Sequence, residues 1–267
     1  PTRLAWCERC DRLSDTPVQD LATCVLQRCP HGECVAHLRA AESKRISLVE
    51  MTDFTARRTM MVDTQVRPSD VTKFPIIDAM LKVQREDFVP NALREAAYMG
   101  ENLDLGDGRV VLEPRTLAKM LDALDIDGNE LVLDVGAGYG YSSAVIARMA
   151  EAVVALEEDS RMAADAQDAL LEAGADNVIT QTGAFTNGAP YHGPYDVIVI
   201  QGGVGHVPDT LTDQLKDGGR IAALFVDGAL GEVRIGYKLD NTMTWRLAFN
   251  AGAPVINGFE RHSQFQL

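Results

Sequence analysis

The sequence predicts an α/β fold: a doubly wound, Rossmann-like, mostly parallel sheet, preceded by a helical cap and followed by antiparallel strands. Three observations carry this reading. From Glu130 onward, short and almost wholly apolar runs alternate with helical stretches, as parallel strands covered on both faces require. Between the first such run, LVLDV, and its helix lies the glycine-rich loop Gly136-Ala137-Gly138-Tyr139-Gly140. Past Gly231 the rhythm changes to strand-like segments, EVRIGYKL and TMTWRLAF, separated by an Asn241 turn.

Taken in order, residues 54–66 have helical spacing and Pro68 is expected to end them. Ser69-Asp70 is expected to cap a second helix running through IIDAMLKV, which Val89-Pro90 stops. Asn91 to Ala97 fits a third, short helix. Asp104 to Gly108 reads as a loop, leading to the short apolar stretch Val110 to Leu112 and then Glu113-Pro114. Leu117, Met120, Leu121 and Leu124 mark one face of the next helix. In the core, LVLDV, AVVALE, Asn177 to Gln181, YDVIVI and RIAALFV are the strands. Ser142–Met149, Arg161–Ala173 and Asp209–Leu215 are the helices between them, and Asp217-Gly218-Gly219 is a turn before the last strand. The expected organisation is an extension over 1–50, a helical cap over 51–129, a ligand-binding core over 130–230 and antiparallel strands over 231–267, the final apolar–polar mix included.

With 267 residues, 46% of them hydrophobic, the chain can bury one large core. Its net charge is −14. That surface repels phosphate backbones, so nucleic acid is not the expected partner. No apolar run reaches the ~20 residues of a membrane span, and the expected location is the cytoplasm. Residues 1–50 hold seven basic and seven acidic residues, so the whole excess of acid lies beyond them. They also hold all five cysteines, Cys7, Cys10, Cys24, Cys29 and Cys34. Thiolates and imidazoles in fours make zinc sites. Here the second half lacks a tight Cys-x-x-Cys pair, one cysteine is left over, and Met51 opens a natural-looking start. The preferred reading is an upstream extension, mostly without stable structure, with no metal.

The glycine loop identifies the ligand class. In a doubly wound sheet, ligands bind at the carboxyl ends of the strands, beside the first strand–loop–helix turn. Gly136, Ala137, Gly138, Tyr139 and Gly140 form that turn. Glu157-Glu158 end the next strand, where an acid can take both ribose hydroxyls. For Glu158 a solvated helix start is the preferred reading. The third glycine comes one residue too early for the pyrophosphate fingerprint, and Asp134 would set an anion beside phosphates. An adenosine ribose joined to a cationic sulfonium suits these residues, which points to S-adenosylmethionine. Gln201 ends a strand at the same edge, with a site role and a structural role evenly open. His192 and His206 read as loop histidines, and Asp196 as a strand-edge charge.

At this point the chain from about Met51 to Leu267 resembles the protein-L-isoaspartate O-methyltransferases, within the S-adenosylmethionine-dependent methyltransferases. The resemblance rests on Val83-Gln-Arg-Glu-Asp-Phe-Val-Pro90, Tyr98, Leu103, Glu113-Pro114, LVLDVGAGYGYSSAVIA and YDVIVIQGGVGHVPDTLTDQLKDGGRIAALF. It implies a methyl transfer to the carboxylate of isoaspartyl residues in damaged proteins or peptides, in the service of protein repair. It also implies a substrate-side site at Leu112, Glu113 and Pro114, and an adenine-side site at Gly183, Ala184 and Phe185. Both depart from the family pattern. Leu112 replaces a serine that can donate a hydrogen bond to the substrate carboxylate, Glu113 adds a negative charge there, and Ala184 replaces an acid. The alternative reading is a divergent homologue that binds S-adenosylmethionine but methylates another substrate or has lost catalysis. A nicotinamide-dependent oxidoreductase is disfavoured by the loop spacing.

Overall fold

The computed structural model describes residues 53–228 and 230–261; the expectations for the cysteine-bearing segment 1–50 lie outside them. The chain enters as a helix (α1, 53–61). It continues without a break through a wider turn over Val62–Val66 and a tighter one over Arg67–Ser69. Pro68 does not stop it, because at the start of the tight turn its missing N–H is not needed. The stop comes at Asp70, in the left-handed region at φ 65°. Ser69-Asp70 therefore ends one helix and does not cap the next. Helix α2 (Phe74–Lys82) begins four residues later, with Pro75 in its first turn. It buries Ile76, Ile77, Ala79 and Met80. Asn91–Ala96 is a 3₁₀ helix.

The segment read as a loop is a small antiparallel hairpin: β1 (Leu103–Gly106) and β2 (Arg109–Val111), separate from the main sheet. Helix α3 (Pro114–Leu124) then buries Leu117, Met120, Leu121 and Leu124, the face that the spacing marks.

The main sheet has seven strands: β3 (Leu131–Val135), β4 (Ala152–Glu157), β5 (Val178–Thr182), β6 (Tyr195–Val204), β7 (Leu215–Asp227), β8 (Leu230–Leu239) and β9 (Thr242–Asn250). Their order is β5-β4-β3-β6-β7-β8-β9; β3 to β7 run parallel, and β8 and β9 antiparallel. Asp240 and Asn241, both at positive φ, make the two-residue turn between the last two. The Asp217-Gly218-Gly219 turn is absorbed into β7, where the pairing register with β6 slips between Tyr195 and Val197. The helices between the strands are α4 (Tyr141–Ala147), α5 (Ser160–Glu172) and the single turn α6 (Asp209–Thr212). Residues 251–261, expected to be strand, make one isolated bridge, Val255 with Gly203. They instead lie against the ends of β6, where added Cβ atoms on Gly203 and Gly205 would run into Pro254 and Phe259 carbonyls.

Strand alternation divides the core in two. Val132, Val153, Val197 and Val199 face the helical cap, whereas Leu133, Val154, Ile198 and Ile200 face the other layer. The same period of two carries Asp134, Glu157 and Gln201 to the face of Val132, Val153 and Val199, toward the carboxyl ends of β3, β4 and β6; Gln201 does not end its strand, which runs on to Val204.

Candidate active site

These three ends meet where the strand order reverses, between β4, β3 and β6. Asp134 and Glu157 are both fully buried. One oxygen of Asp134 accepts from the Ser142 and Ser143 hydroxyls at 2.6 Å, both from the first turn of α4, and the other accepts from Gln201 Nε2 at 2.7 Å. Burial pushes its carboxyl above the usual range, while these three donors work in the opposite direction. Gln201 thus has a definite structural partner.

Glu157 is held differently. The guanidinium of Arg109, on β2, grips it with both terminal nitrogens, Nη1 on Oε1 and Nη2 on Oε2, the latter at 2.7 Å. Gly138 N donates to Oε2 at 2.8 Å, and Glu158 N to Oε1 at 2.9 Å. Arg109 also sits over the Phe185 ring, its Cζ 4.5 Å from the centroid. The loop itself turns at positive φ at Gly136, Gly138 and Gly140. Gly138 shows why: a Cβ there would stand 3.1 Å from Leu105 Cδ1 of the hairpin, on a backbone at φ +60°. Gly136 likewise faces the Arg109 guanidinium. Ala137 is buried and Tyr139 half-buried.

The remaining expected residues fall around this centre. Glu158 is exposed and accepts from Asn257, while the true helix cap is Asp159, which accepts from the N–H groups of Arg161 and Met162. Gly183 and Ala184 line a surface cavity of about 430 Å³ shared with Gln181, Asn187 and His192, whereas Phe185 is buried beneath Arg109. Asp196 accepts from Lys216 and from Leu131 N, a strand-edge role.

On the substrate side, the Leu112 side chain is buried in the core, and its carbonyl accepts from the buried Arg85 at 2.9 Å. Glu113 accepts from Thr116 Oγ1 at 2.6 Å and lies 3.6 Å from Arg115, so its added charge is partly offset. Its N–H donates to Asn102, whose amide reaches Gly252 O. Pro114 starts α3. Sequence reasoning did not single out Arg109, Leu105 or Asn102, and Arg85 entered only within the Val83 to Pro90 stretch. Arg109 acts across 48 residues on Glu157; only the DG turn before it hints at a hairpin.

Glu157, the glycine loop and the cavity beside Ala184 fit a nucleoside donor in kind: an acid at a strand end, three glycines at positive φ, and an open edge. The Arg109 guanidinium and the Gly138, Glu158 and Asp159 N–H groups share the Glu157 carboxylate.

Comparison with known proteins places the chain in a family. Residues 57–227 match the family Protein-L-isoaspartate(D-aspartate) O-methyltransferase. A protein-L-isoaspartate O-methyltransferase 1 of Rhodopseudomonas palustris (strain HaA2) is 38% identical over 172 residues, 64% of this chain and 70% of the relative. One from Syntrophobacter fumaroxidans (strain DSM 10017 / MPOB) is 35% identical over 171 residues, 64% of this chain and 80% of the relative. Among solved structures, a Plasmodium falciparum chain described as a protein-L-isoaspartate O-methyltransferase, in complex with S-adenosyl-L-homocysteine, shares the fold at a TM-score of 0.64 and 15% identity, over 75% of this chain and 97% of that one.

Proposed function

We infer the reaction from one premise: the chain belongs to the protein-L-isoaspartate(D-aspartate) O-methyltransferase family. It is an enzyme of the S-adenosylmethionine-dependent class, and its acceptor is the free carboxylate of an isoaspartyl residue in a damaged protein. The observation that carries this reading is the buried acid Glu157, joined by its own carboxylate to the glycine loop at Gly138, at the carboxyl edge of a doubly wound sheet.

When bound, S-adenosylmethionine supplies an electrophilic methyl group on a sulfonium. The chain's own residues position it. Glu157 would hold the ribose hydroxyls, and Gly136, Ala137, Gly138, Tyr139 and Gly140 would lie along the rest of the donor. Gly183, Ala184 and Phe185 would border the adenine. Asp134 stiffens the loop through Ser142, Ser143 and Gln201 rather than meeting the ligand itself. The acceptor carboxylate, with a pKa near about 4, is already ionised at neutral pH and needs no general base. The remaining task is alignment, which is catalysis by proximity and orientation. Leu112, Glu113 and Pro114 flank the acceptor in this reading, with the Glu113 charge drawn toward Thr116 and Arg115.

Among the described residues no helix is long and apolar enough to cross a membrane. A cytoplasmic site of action is part of the proposal, supported by a chain that is acidic and free of cysteine from residue 51 onward.

The test is methyl transfer from radiolabelled S-adenosylmethionine to an isoaspartyl peptide and to its normal aspartyl twin. Label on the isoaspartyl peptide alone is expected. Equal labelling of both, or none with cofactor binding intact, would overturn the assigned acceptor.

A further inference from the structure

Resting on that reading, the position of Arg109 carries a consequence for how donor and acceptor bind. Glu157 already receives more donors than its two oxygens comfortably serve: both Arg109 terminal nitrogens, Gly138 N, Glu158 N and, at 3.3 Å, Asp159 N. A ribose diol needs these same oxygens. The backbone donors belong to the loop and the strand end and stay with them. Arg109 is different, because it arrives on a hairpin outside the main sheet. It is also incompletely satisfied, since its Nε is buried without a hydrogen-bond partner. It is the donor that can leave.

Leaving has a cost. The Arg109 side chain is 7% exposed and Glu157 is its counter-charge. A guanidinium parted from its carboxylate in such a place must meet another anion. The proposed acceptor is a carboxylate, and the strand that carries Arg109 runs directly into Leu112 and Glu113. A cation there also answers the substitution at residue 112, where leucine offers no hydroxyl to the acceptor.

We propose that Arg109 is a specificity-determining residue that occupies the ribose acid Glu157 in the free chain and, once displaced by the donor, holds the carboxylate of the acceptor. Donor and acceptor then bind cooperatively, and by linkage each tightens the other by the same factor.

Calorimetry on the full chain tests this, with S-adenosylhomocysteine and an isoaspartyl peptide as probes. In the unsubstituted protein the peptide binds about tenfold tighter with S-adenosylhomocysteine present than without it. Arg109→Gln, which removes the competing cation but can still donate to Glu157, binds S-adenosylhomocysteine about tenfold tighter and loses the peptide gain. Arg109→Lys keeps the charge without the two-pronged grip and falls between them. Unchanged or weaker S-adenosylhomocysteine binding by a folded Arg109→Gln overturns displacement. Peptide affinity indifferent to S-adenosylhomocysteine in the unsubstituted protein overturns the acceptor role. Failure of both proteins to bind S-adenosylhomocysteine overturns the donor assignment as well, a pattern distinct from the first two.

Discussion

Asp134 and Glu157 end neighbouring parallel strands, on the same face and equally buried, yet they are satisfied in opposite ways. Asp134 is closed off by neutral donors from the helix that follows it and from the adjacent strand. Those donors cannot be withdrawn without unwinding α4 or unpairing β6. Glu157 is closed off by a cation from a hairpin outside the main sheet. In the proposed reading the first acid is scaffold and the second is site: neutral partners from α4 and β6 fix Asp134, whereas the Arg109 cation on Glu157 is the partner that the donor would displace.

The largest effect that would break this comparison is expected at Glu157. Glu157→Leu strands Arg109 without its carboxylate, and removing one partner of a buried pair costs on the order of 3–5 kcal/mol. Urea unfolding should show that loss, and S-adenosylhomocysteine binding should vanish with it. Asp134→Leu should cost on the order of 3 kcal/mol by leaving two hydroxyls and an amide unpaired. In contrast to the Glu157 variant, whatever fraction remains folded should still bind S-adenosylhomocysteine. If both variants lose binding alike, the division between scaffold and site fails.

Leu112→Ser sharpens the comparison on the acceptor side. A hydroxyl at the family's serine position should raise isoaspartyl methylation. Because Leu112 is packed in the core, the exchange should also lower stability by about 2–3 kcal/mol. Activity measured well below the melting temperature separates the two. A rate that does not rise would remove the hydroxyl argument at this position.

The smallest effect concerns Asp159, beside Glu157 but exposed. The N–H groups of Met162 and Arg161 hold its carboxyl below the usual range. A depressed carboxyl stabilises the fold above the unfolded value of about 3.9, and that contribution disappears as pH falls through the folded value. Asp159→Ala should therefore be slightly less stable than the unsubstituted protein at neutral pH, and the gap should narrow as pH falls below about 3.9 in denaturant unfolding. A gap independent of pH would mean the cap does not act through its charge.

The sheet was legible in the sequence because buried parallel strands are apolar on both faces and glycine marks the turn between them. Its antiparallel edge was legible from the strand-like segments EVRIGYKL and TMTWRLAF on either side of the Asn241 turn. The hairpin was not, since strands of four and three residues are too short for alternation to show, and Asp104 to Gly108 has the composition of a turn. Ser69-Asp70 misled because capping residues and left-handed stop residues are the same types. The polar ends of the strands announced Glu157 and Asp134. Nothing local announced Arg109, whose contact with Glu157 exists only once the hairpin is folded onto the carboxyl edge of the sheet.

The most direct measurement is a structure of the chain grown with S-adenosylhomocysteine. The ribose hydroxyls should lie on the Glu157 carboxylate, with the Arg109 guanidinium moved off it. A bound nucleoside elsewhere, with Arg109 still gripping Glu157, would contradict it.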